Sequence, residues 1–198
     1  VSNVKAVLFD MDGTLLAPEE HSSLLEFKAR WGIPMEQLIV PNLSKLPPDA
    51  YAAFVELEDS LAEHAVLRPG VKAFLIELHT RGVKTALCTN NTIKSAHTMI
   101  EKFDLHLDLI LTRDDYTMKP DPAMLLAATT QLEVSTLEAV MVGDTRADVG
   151  AALASGVRHC YLIAEPWNAE LEGETVTRVA DFAALSAAIL TPEPVSSV

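Results

Sequence analysis

The stretch FDMDGTLL, residues 9–16, sets two carboxylates, Asp10 and Asp12, two positions apart and follows them at once with Gly13. The run before it, VKAVLF from Val4 to Phe9, is short, apolar and rich in β-formers, the pattern of a strand buried on both faces. A strand that ends on two like charges has a cation or a proton to manage, because carboxylates that close repel one another. Gly13 gives the backbone room to turn away from the strand end.

Working outward, the same grammar recurs along the chain. PGVKAFLIELHTRG has apolar residues at helical spacing, Pro69 at its start and Gly82 just past its end, and VKTALC then reads as a strand. NTIKSAHTMIEKF reads as a helix and DLILT as a strand. DPAMLLAATTQLE reads as a helix with Asp121 as N-cap and Pro122 in the first helical position. EAVMVG is a strand, RADVGAALASG a helix, RHCYLI a strand, TVTRVA a candidate late strand, and DFAALSAAIL a closing helix capped by Asp181. This alternation from Pro69 onward means a parallel sheet covered by helices on both faces, an α/β fold.

Between Leu16 and Arg68 the alternation stops. PEEHSSLLEFKARWG and PDAYAAFVELEDSLAEHA carry amphipathic helix patterns with no strand between them, joined by the proline-rich, loop-like PNLSKLPP. A parallel sheet binds ligands at the carboxyl ends of its strands. A helical insert leaving the end of the first strand is therefore expected to sit over such a site as a lid.

The strand ends carry the chemistry. Asp10 and Asp12 follow the first strand, Thr89 and Asn90 follow VKTALC, Lys119 lies beyond DLILT, and Asp144 follows EAVMVG with Asp148 four residues on. Carboxylates clustered in a poorly solvated pocket cannot all stay ionised alone, and a hard divalent cation such as Mg²⁺ resolves the conflict with oxygen ligands. Lysine, threonine and asparagine suit a polyoxygen anion instead, Lys119 as a point charge, Thr89 and Asn90 as donors. A place for Mg²⁺ beside a place for an oxyanion is a phosphate site, where one carboxylate can attack phosphorus and a second can carry a proton.

DMDGT, TN, KPDP and GDTRAD resemble, in order, the four motifs of the haloacid dehalogenase-like superfamily, and the likeness covers nearly the whole chain. The resemblance implies a Rossmann-like three-layer α/β/α core with a parallel sheet of order 5-4-1-2-3 and a small helical cap inserted after the first strand, as in phosphoglycolate phosphatase-like members. On that pattern residues 1–16 and 67–190 form the core, 17–66 the cap, and 191–198 a tail. It also implies Asp10 as nucleophile and metal ligand, and Asp12 as general acid that lends its backbone carbonyl to the metal. Asp144 would bind Mg²⁺, Asp148 would support it directly or through water, and Asp10, Met11, Asp12, Thr89, Asn90 and Lys119 would surround the phosphoryl group. An Asp at position 12 argues for phosphate chemistry with fast turnover; related ATPases carry Thr there.

The expected activity is thus Mg²⁺-dependent hydrolysis of a small phosphorylated metabolite. A phosphomutase of the β-phosphoglucomutase type shares all four motifs, but it must exclude water between half-reactions, and a short cap leans the other way. A receiver domain, which also sets carboxylates and Lys around Mg²⁺, lacks an insert after strand one, and a non-catalytic phospho-ligand-binding descendant would not keep the whole motif set. Many capped relatives carry an acidic residue near position 17, where this chain has Ala17 and Pro18.

Bulk properties agree. The 198 residues, 49% of them apolar, suffice for a sizeable core, and a net charge of −13 argues against nucleic acid or anionic membrane as partner. The start VSNVKAVLFD has no basic n-region or cleavage pattern, and no apolar run nears the roughly 20 residues of a membrane span, so a cytoplasmic protein is expected, a monomer or weak homodimer. Two cysteines, Cys88 and Cys160, are too few and too far apart to suggest a disulfide framework or a zinc site, and Cys88 reads as a buried small hydrophobe at a strand end. Asp114 and Asp115 either orient Lys119 or lie in a surface loop, Arg146 either touches substrate or is solvated, and Lys45 either meets a second anionic group of the substrate or is a plain surface lysine.

Overall fold

The computed structural model describes residues 4–18, 22–34, 37 and 39–191. The expected helical pattern at 19–21 and the expected tail beyond residue 191 lie outside the described residues. Strands β1 (Ala6–Phe9), β2 (Lys84–Cys88), β3 (Leu109–Leu111), β4 (Ala139–Gly143), β5 (His159–Ile163) and β6 (Val176–Val179) form one parallel sheet in the order β3-β2-β1-β4-β5-β6. Read from the other edge, this is the expected 5-4-1-2-3 order extended by β6, the late strand TVTRVA.

The sheet is buried because its strands alternate between two apolar layers. Val7 and Phe9 point into one, with Phe74 and Leu78 of α3 (Val71–Thr80), Met99 of α4 (Ile93–Phe103), and Phe182 and Leu185 of α7 (Phe182–Leu190). Ala6 and Leu8 point into the other, with Met124 and Leu125 of α5 (Ala123–Gln131) and Ala151 and Ala152 of α6 (Arg146–Ser155). A period of two along a strand, with helices on each face, is what turns a continuous apolar run into a three-layer core. β1 is central, paired with β2 through Phe9↔Leu87 and with β4 through Phe9↔Val142, so the three strands end side by side.

The helix boundaries follow local signals. Thr92 caps α4 by accepting from Ser95 N–H (3.2 Å), and Asp181 caps α7 by accepting from Ala184 N–H (2.8 Å). α5 begins at Ala123, one residue later than expected, because Pro122 itself occupies the junction; Asp121 still caps it through Ala123 N–H (2.9 Å). After β1 the chain forms α1 (Ser22–Trp31) and α2 (Pro48–His64) with a separate apolar cluster of Phe27, Ile33, Ile39, Leu43 and Phe54. The linker expected as a loop contains a short 3₁₀ turn, Val40–Lys45, seated by buried Leu43. The chain leaves and re-enters the sheet layer on paired segments: Ala17 N–H donates to Val66 O (2.8 Å) and Arg68 N–H to Leu15 O (2.9 Å). No described helix is long and apolar enough to cross a membrane.

Candidate active site

Asp10 leaves the end of β1 with its N–H still donated to Val142 O of β4 (2.9 Å), so its side chain is aimed by the sheet. Residues Met11–Leu15 then make a wide turn, closed by Leu16 N–H on Met11 O (3.0 Å). Gly13 sits there at φ +73°, and a Cβ on it would lie 2.2 Å from Asp144 Oδ2. Any side chain at this position would displace the neighbouring carboxylate.

Three carboxylates meet beside this turn. One oxygen from each of Asp10, Asp144 and Asp148 lies within 4.8 Å of the others. Lys119, 2% exposed, donates to Asp10 Oδ1 and to Asp148 Oδ1, both at 2.6 Å. Asp144 accepts from Thr14 Oγ1 on Oδ1 (3.3 Å) and from the Trp167 indole on Oδ2 (3.1 Å). Asp148 is saturated from behind: its Oδ2 accepts from Asp144 N–H (3.2 Å), Thr145 N–H (3.0 Å) and Thr145 Oγ1 (2.7 Å). A Cβ on Gly143 would lie 2.4 Å from the Asp148 carboxyl carbon, so that packing requires glycine there.

The electrostatics are those of an overloaded cluster. Burial, countered by Lys119 and reinforced by Asp148 and Asp12, raises the Asp10 carboxyl from 3.8 to about 7. Burial together with Asp10 and Asp148 raises Asp144 from 3.8 to about 8. Burial also opposes ionisation of Asp148, but Lys119 and the Thr145 donors outweigh it and hold that carboxyl below its ordinary value. Lys119 is held above its ordinary value despite burial, by Asp10 and Asp148. The ammonium is therefore charged and shared between Asp10 and Asp148 at equal distance, while Asp144 has no hydrogen bond to it. Three ionised carboxylates against one ammonium would leave two negative charges, and their hard oxygen donors are of the type that could hold a divalent cation.

Asp12 stands apart from this cluster. Its carboxylate opens toward solvent and accepts from Asn91 Nδ2 (2.6 Å). Atoms crowded around it raise its pKa by desolvation, against the lowering effects of Asn91 and Lys119. Met11 is fully buried, so only its main chain is available to a ligand. Thr89 is 1% exposed at the end of β2; its N–H donates to Leu111 O (3.1 Å) and its Oγ1 accepts from Asn91 N–H (3.2 Å).

Asn90 departs from the expectation that its side chain donates to an anion. Its Nδ2 donates to Lys119 O (2.9 Å) and its Oδ1 accepts from Lys119 N–H (2.8 Å). The amide clamps the backbone that carries Lys119, and the neighbouring Asn91 is the amide that reaches Asp12. Asp114 does not orient Lys119: its Oδ2 accepts from Ile93 N–H (2.8 Å) at the start of α4. Lys45 donates to Asn42 Oδ1 (3.1 Å) and lines a small cavity of about 170 Å³ within the helical segment, with Trp31 and Pro34. Neither that cavity nor a depression of about 460 Å³ lined by Glu172, Val176 and Arg178 includes any of the strand-end residues Asp10, Asp12, Thr89, Asn90, Lys119, Asp144 or Asp148. Chemistry, rather than cavity volume, marks the site. Cys88 is buried, with its thiol pushed up to about 12 by desolvation.

The helical segment meets the site through Glu58 of α2. Its carboxylate forms a bidentate pair with Arg113 (Nη1–Oε1 2.6 Å, and Nη2–Oε2), and both side chains are 4% exposed. The same guanidinium donates to Asn90 O (2.8 Å), beside Thr89. Thr14, Asn91, Glu58, Arg113, Trp167 and Arg68, which reaches Gly13 O (2.7 Å), are the site groups that the sequence did not single out. Thr14 and Asn91 adjoin recognised motifs; the others carry no local signal.

Comparison with known proteins follows the same lines. The family model described as haloacid dehalogenase-like hydrolase matches residues 19–162. A phosphoglycolate phosphatase of Cereibacter sphaeroides is 32% identical over 182 residues, 77% of this chain and 82% of that protein. One of Cupriavidus necator is 32% identical over 184 residues, 79% and 80% of the two chains. Among solved structures, CbbY from Rhodobacter sphaeroides in complex with phosphate is similar at a TM-score of 0.71 and 22% identity, covering 92% of this chain and 96% of that one. A putative beta-phosphoglucomutase from Thermotoga maritima is similar at 0.66 and 21% identity, covering 93% and 98%. At those identities the structural likeness speaks for the fold.

Proposed function

Because the chain belongs to the haloacid dehalogenase-like hydrolase family, we propose that it hydrolyses a small phosphomonoester with Mg²⁺, through a phosphoryl group carried transiently on Asp10. The observation that carries this reading is the division of labour among the carboxylates. Asp10 lies in the cluster held by Lys119, whereas the Asp12 carboxylate is engaged by Asn91 instead.

Asp10 and Asp144 would hold Mg²⁺, with Asp148 fixing Asp144 and Lys119 from behind. The bound ion supplies charge neutralisation at the phosphoryl oxygens and lets Asp10 and Asp144 stay ionised together. The Asp10 carboxylate attacks phosphorus. Asp12 delivers its proton to the leaving alcohol oxygen and then, as carboxylate, takes a proton from the water that attacks the phosphoryl-aspartate. Lys119 holds Asp10 as a carboxylate and faces the charge that develops on the phosphoryl oxygens. Thr89 Oγ1 and the main chain of Met11, Asp12 and Asn90 complete the surround.

Residues 17–66 act as the cap over this site, hinged at the paired crossings Leu15–Ala17 and Val66–Arg68. Its docked position is supported by Glu58–Arg113, by Lys94–Asp59 (2.6 Å), and by Lys102 on the carbonyls of Glu63 (2.6 Å) and Ala65 (2.7 Å). The phosphoglycolate phosphatases among its relatives make phosphorylated small hydroxy acids the first substrates to try. The test is phosphate release from an aryl phosphate and from such acids, with Mg²⁺ and with EDTA; release that is unchanged in EDTA overturns the proposal.

A further inference from the structure

Behind Asp144 stands a second set of polar groups, contributed by the connection from β5 to β6. Trp167 donates its indole N–H to both the Asp144 carbonyl (3.2 Å) and Asp144 Oδ2 (3.1 Å). Asn168, fully buried, donates to the same carbonyl (2.9 Å) and to Ile163 O (2.8 Å). Its Oδ1 accepts from Arg178 Nε and from Glu165 N–H, both at 3.0 Å. Glu165 pairs through its carboxylate with Arg68, and Arg68 donates to Gly13 O through Nε (3.1 Å) and Nη2 (2.7 Å). One connection therefore touches both sides of the carboxylate cluster: Asp144 directly, and the turn after Asp10 through Arg68.

Two of these residues do different jobs. Asn168 saturates buried carbonyls, and its contacts alone anchor the connection to the end of β4. Trp167 is 41% exposed, so packing of its buried part contributes to its placement alongside its N–H. What distinguishes it is a donor shared between the Asp144 carbonyl and Oδ2, on a carboxylate whose other oxygen, Oδ1, accepts from the Thr14 hydroxyl. With a donor at each oxygen, the Asp144 carboxylate is fixed in rotation and one lone pair of Oδ2 is taken. One oxygen of that carboxylate lies within 4.8 Å of an oxygen of Asp10 and of Asp148.

We infer that Trp167 is a positioning residue for the cation, setting the rotamer of Asp144 and reporting its occupancy through the indole. The inference rests on the Mg²⁺ reading of the cluster. Outer partners that orient a metal ligand typically account for about 10–100-fold in metal affinity, and a half-exposed neutral donor belongs at the lower end, about tenfold.

The test uses Mg²⁺ alone, without substrate. Trp31, in the helical segment, is the other tryptophan, so a Trp31→Phe protein leaves Trp167 as the sole indole. In that protein, calorimetry and indole emission should give the same saturable Mg²⁺ isotherm. Trp167→Phe should fold with an unchanged thermal midpoint and bind Mg²⁺ about tenfold more weakly. The Mg²⁺ concentration for half-activity should rise by the same factor. A folded Trp167→Phe protein with parental Mg²⁺ affinity overturns the inference and leaves the catalytic reading intact. So does calorimetric Mg²⁺ binding with no change in Trp167 emission, a result that does not depend on how the variant folds. Failure of the parent protein to bind Mg²⁺ at all overturns the catalytic reading, and this inference with it.

Discussion

Replacing Lys119 with Met keeps most of the side-chain length and removes only the charge. The ammonium is 2% exposed and shared at 2.6 Å between Asp10 and Asp148. Its loss leaves three buried carboxylates with no cation. Breaking a buried ion pair by removing one partner costs about 3–5 kcal/mol. Protonation limits that loss, since taking up a proton at pH 7 on a carboxyl of ordinary pKa 3.8 costs about 4 kcal/mol. The two figures agree, so the variant should be about 3–4 kcal/mol less stable near pH 7 in EDTA. The sign with pH follows from direction. Lys119 lowers both Asp10 and Asp148, so without it both carboxyls move up. A carboxyl whose folded pKa is raised contributes its stability below the unfolded pKa and loses it as pH rises through the folded one. The deficit should therefore shrink toward pH 4–5 and grow toward pH 8, read by urea unfolding at each pH. At pH 7 with Mg²⁺, kcat on an aryl phosphate should fall by about 10²–10³-fold, with a smaller change in KM. Lys119→Arg should not restore it, because a planar fork needs more room than a point ammonium between two oxygens. A deficit independent of pH, or a raised KM with unchanged kcat, would refute the reasoning.

Mg²⁺ should raise the thermal midpoint of the parent protein more at pH 8 than at pH 5. Asp10 and Asp144, raised to about 7 and about 8, contribute stability below pH 4 that is lost as pH climbs through those values, and the cation then replaces their protons; an equal gain at both pH values would contradict this. Asp10→Asn should remove turnover by several orders of magnitude, while Asp12→Asn should still accept a phosphoryl group and turn over about 10²–10⁴-fold more slowly, as stopped-flow phosphate release would show. Replacing residues 18–65 with a short Gly/Ser link should spare hydrolysis of an aryl phosphate and erase ranking among natural phosphates, provided the shortened chain is first shown to fold; a retained ranking would place specificity in the core loops.

The parts of the site that were legible in the sequence share one cause. Asp10, Thr89, Asp144 and Asp148 stand at or just beyond the carboxyl ends of strands whose apolar runs are unmistakable, and parallel pairing brings those ends together. Asn90 and Asn91 were not separable, because adjacent residues at a strand end face different ways and only the local backbone decides which amide meets Asp12 and which clamps Lys119. Glu58 with Arg113, Arg68 with Gly13, and Trp167 with Asp144 join points far apart in the chain through side chains in unremarkable local contexts. Tertiary packing alone creates those pairs. The 3₁₀ turn at Val40–Lys45 is hard to read from sequence because its proline, Pro41, signals a break and yet also fits a first turn.

The central claim is that Asp10 carries the phosphoryl group. The direct measurement is acid quench of Asp12→Asn protein mixed with Mg²⁺ and an excess of aryl phosphate, followed by intact mass and peptide mapping. The account predicts a Mg²⁺-dependent adduct of one phosphoryl group on the peptide containing Asp10, absent in EDTA and absent when Asp10→Asn is added to the same chain. Release of phosphate without any such adduct, or an adduct that persists when Asp10 is replaced, would contradict it.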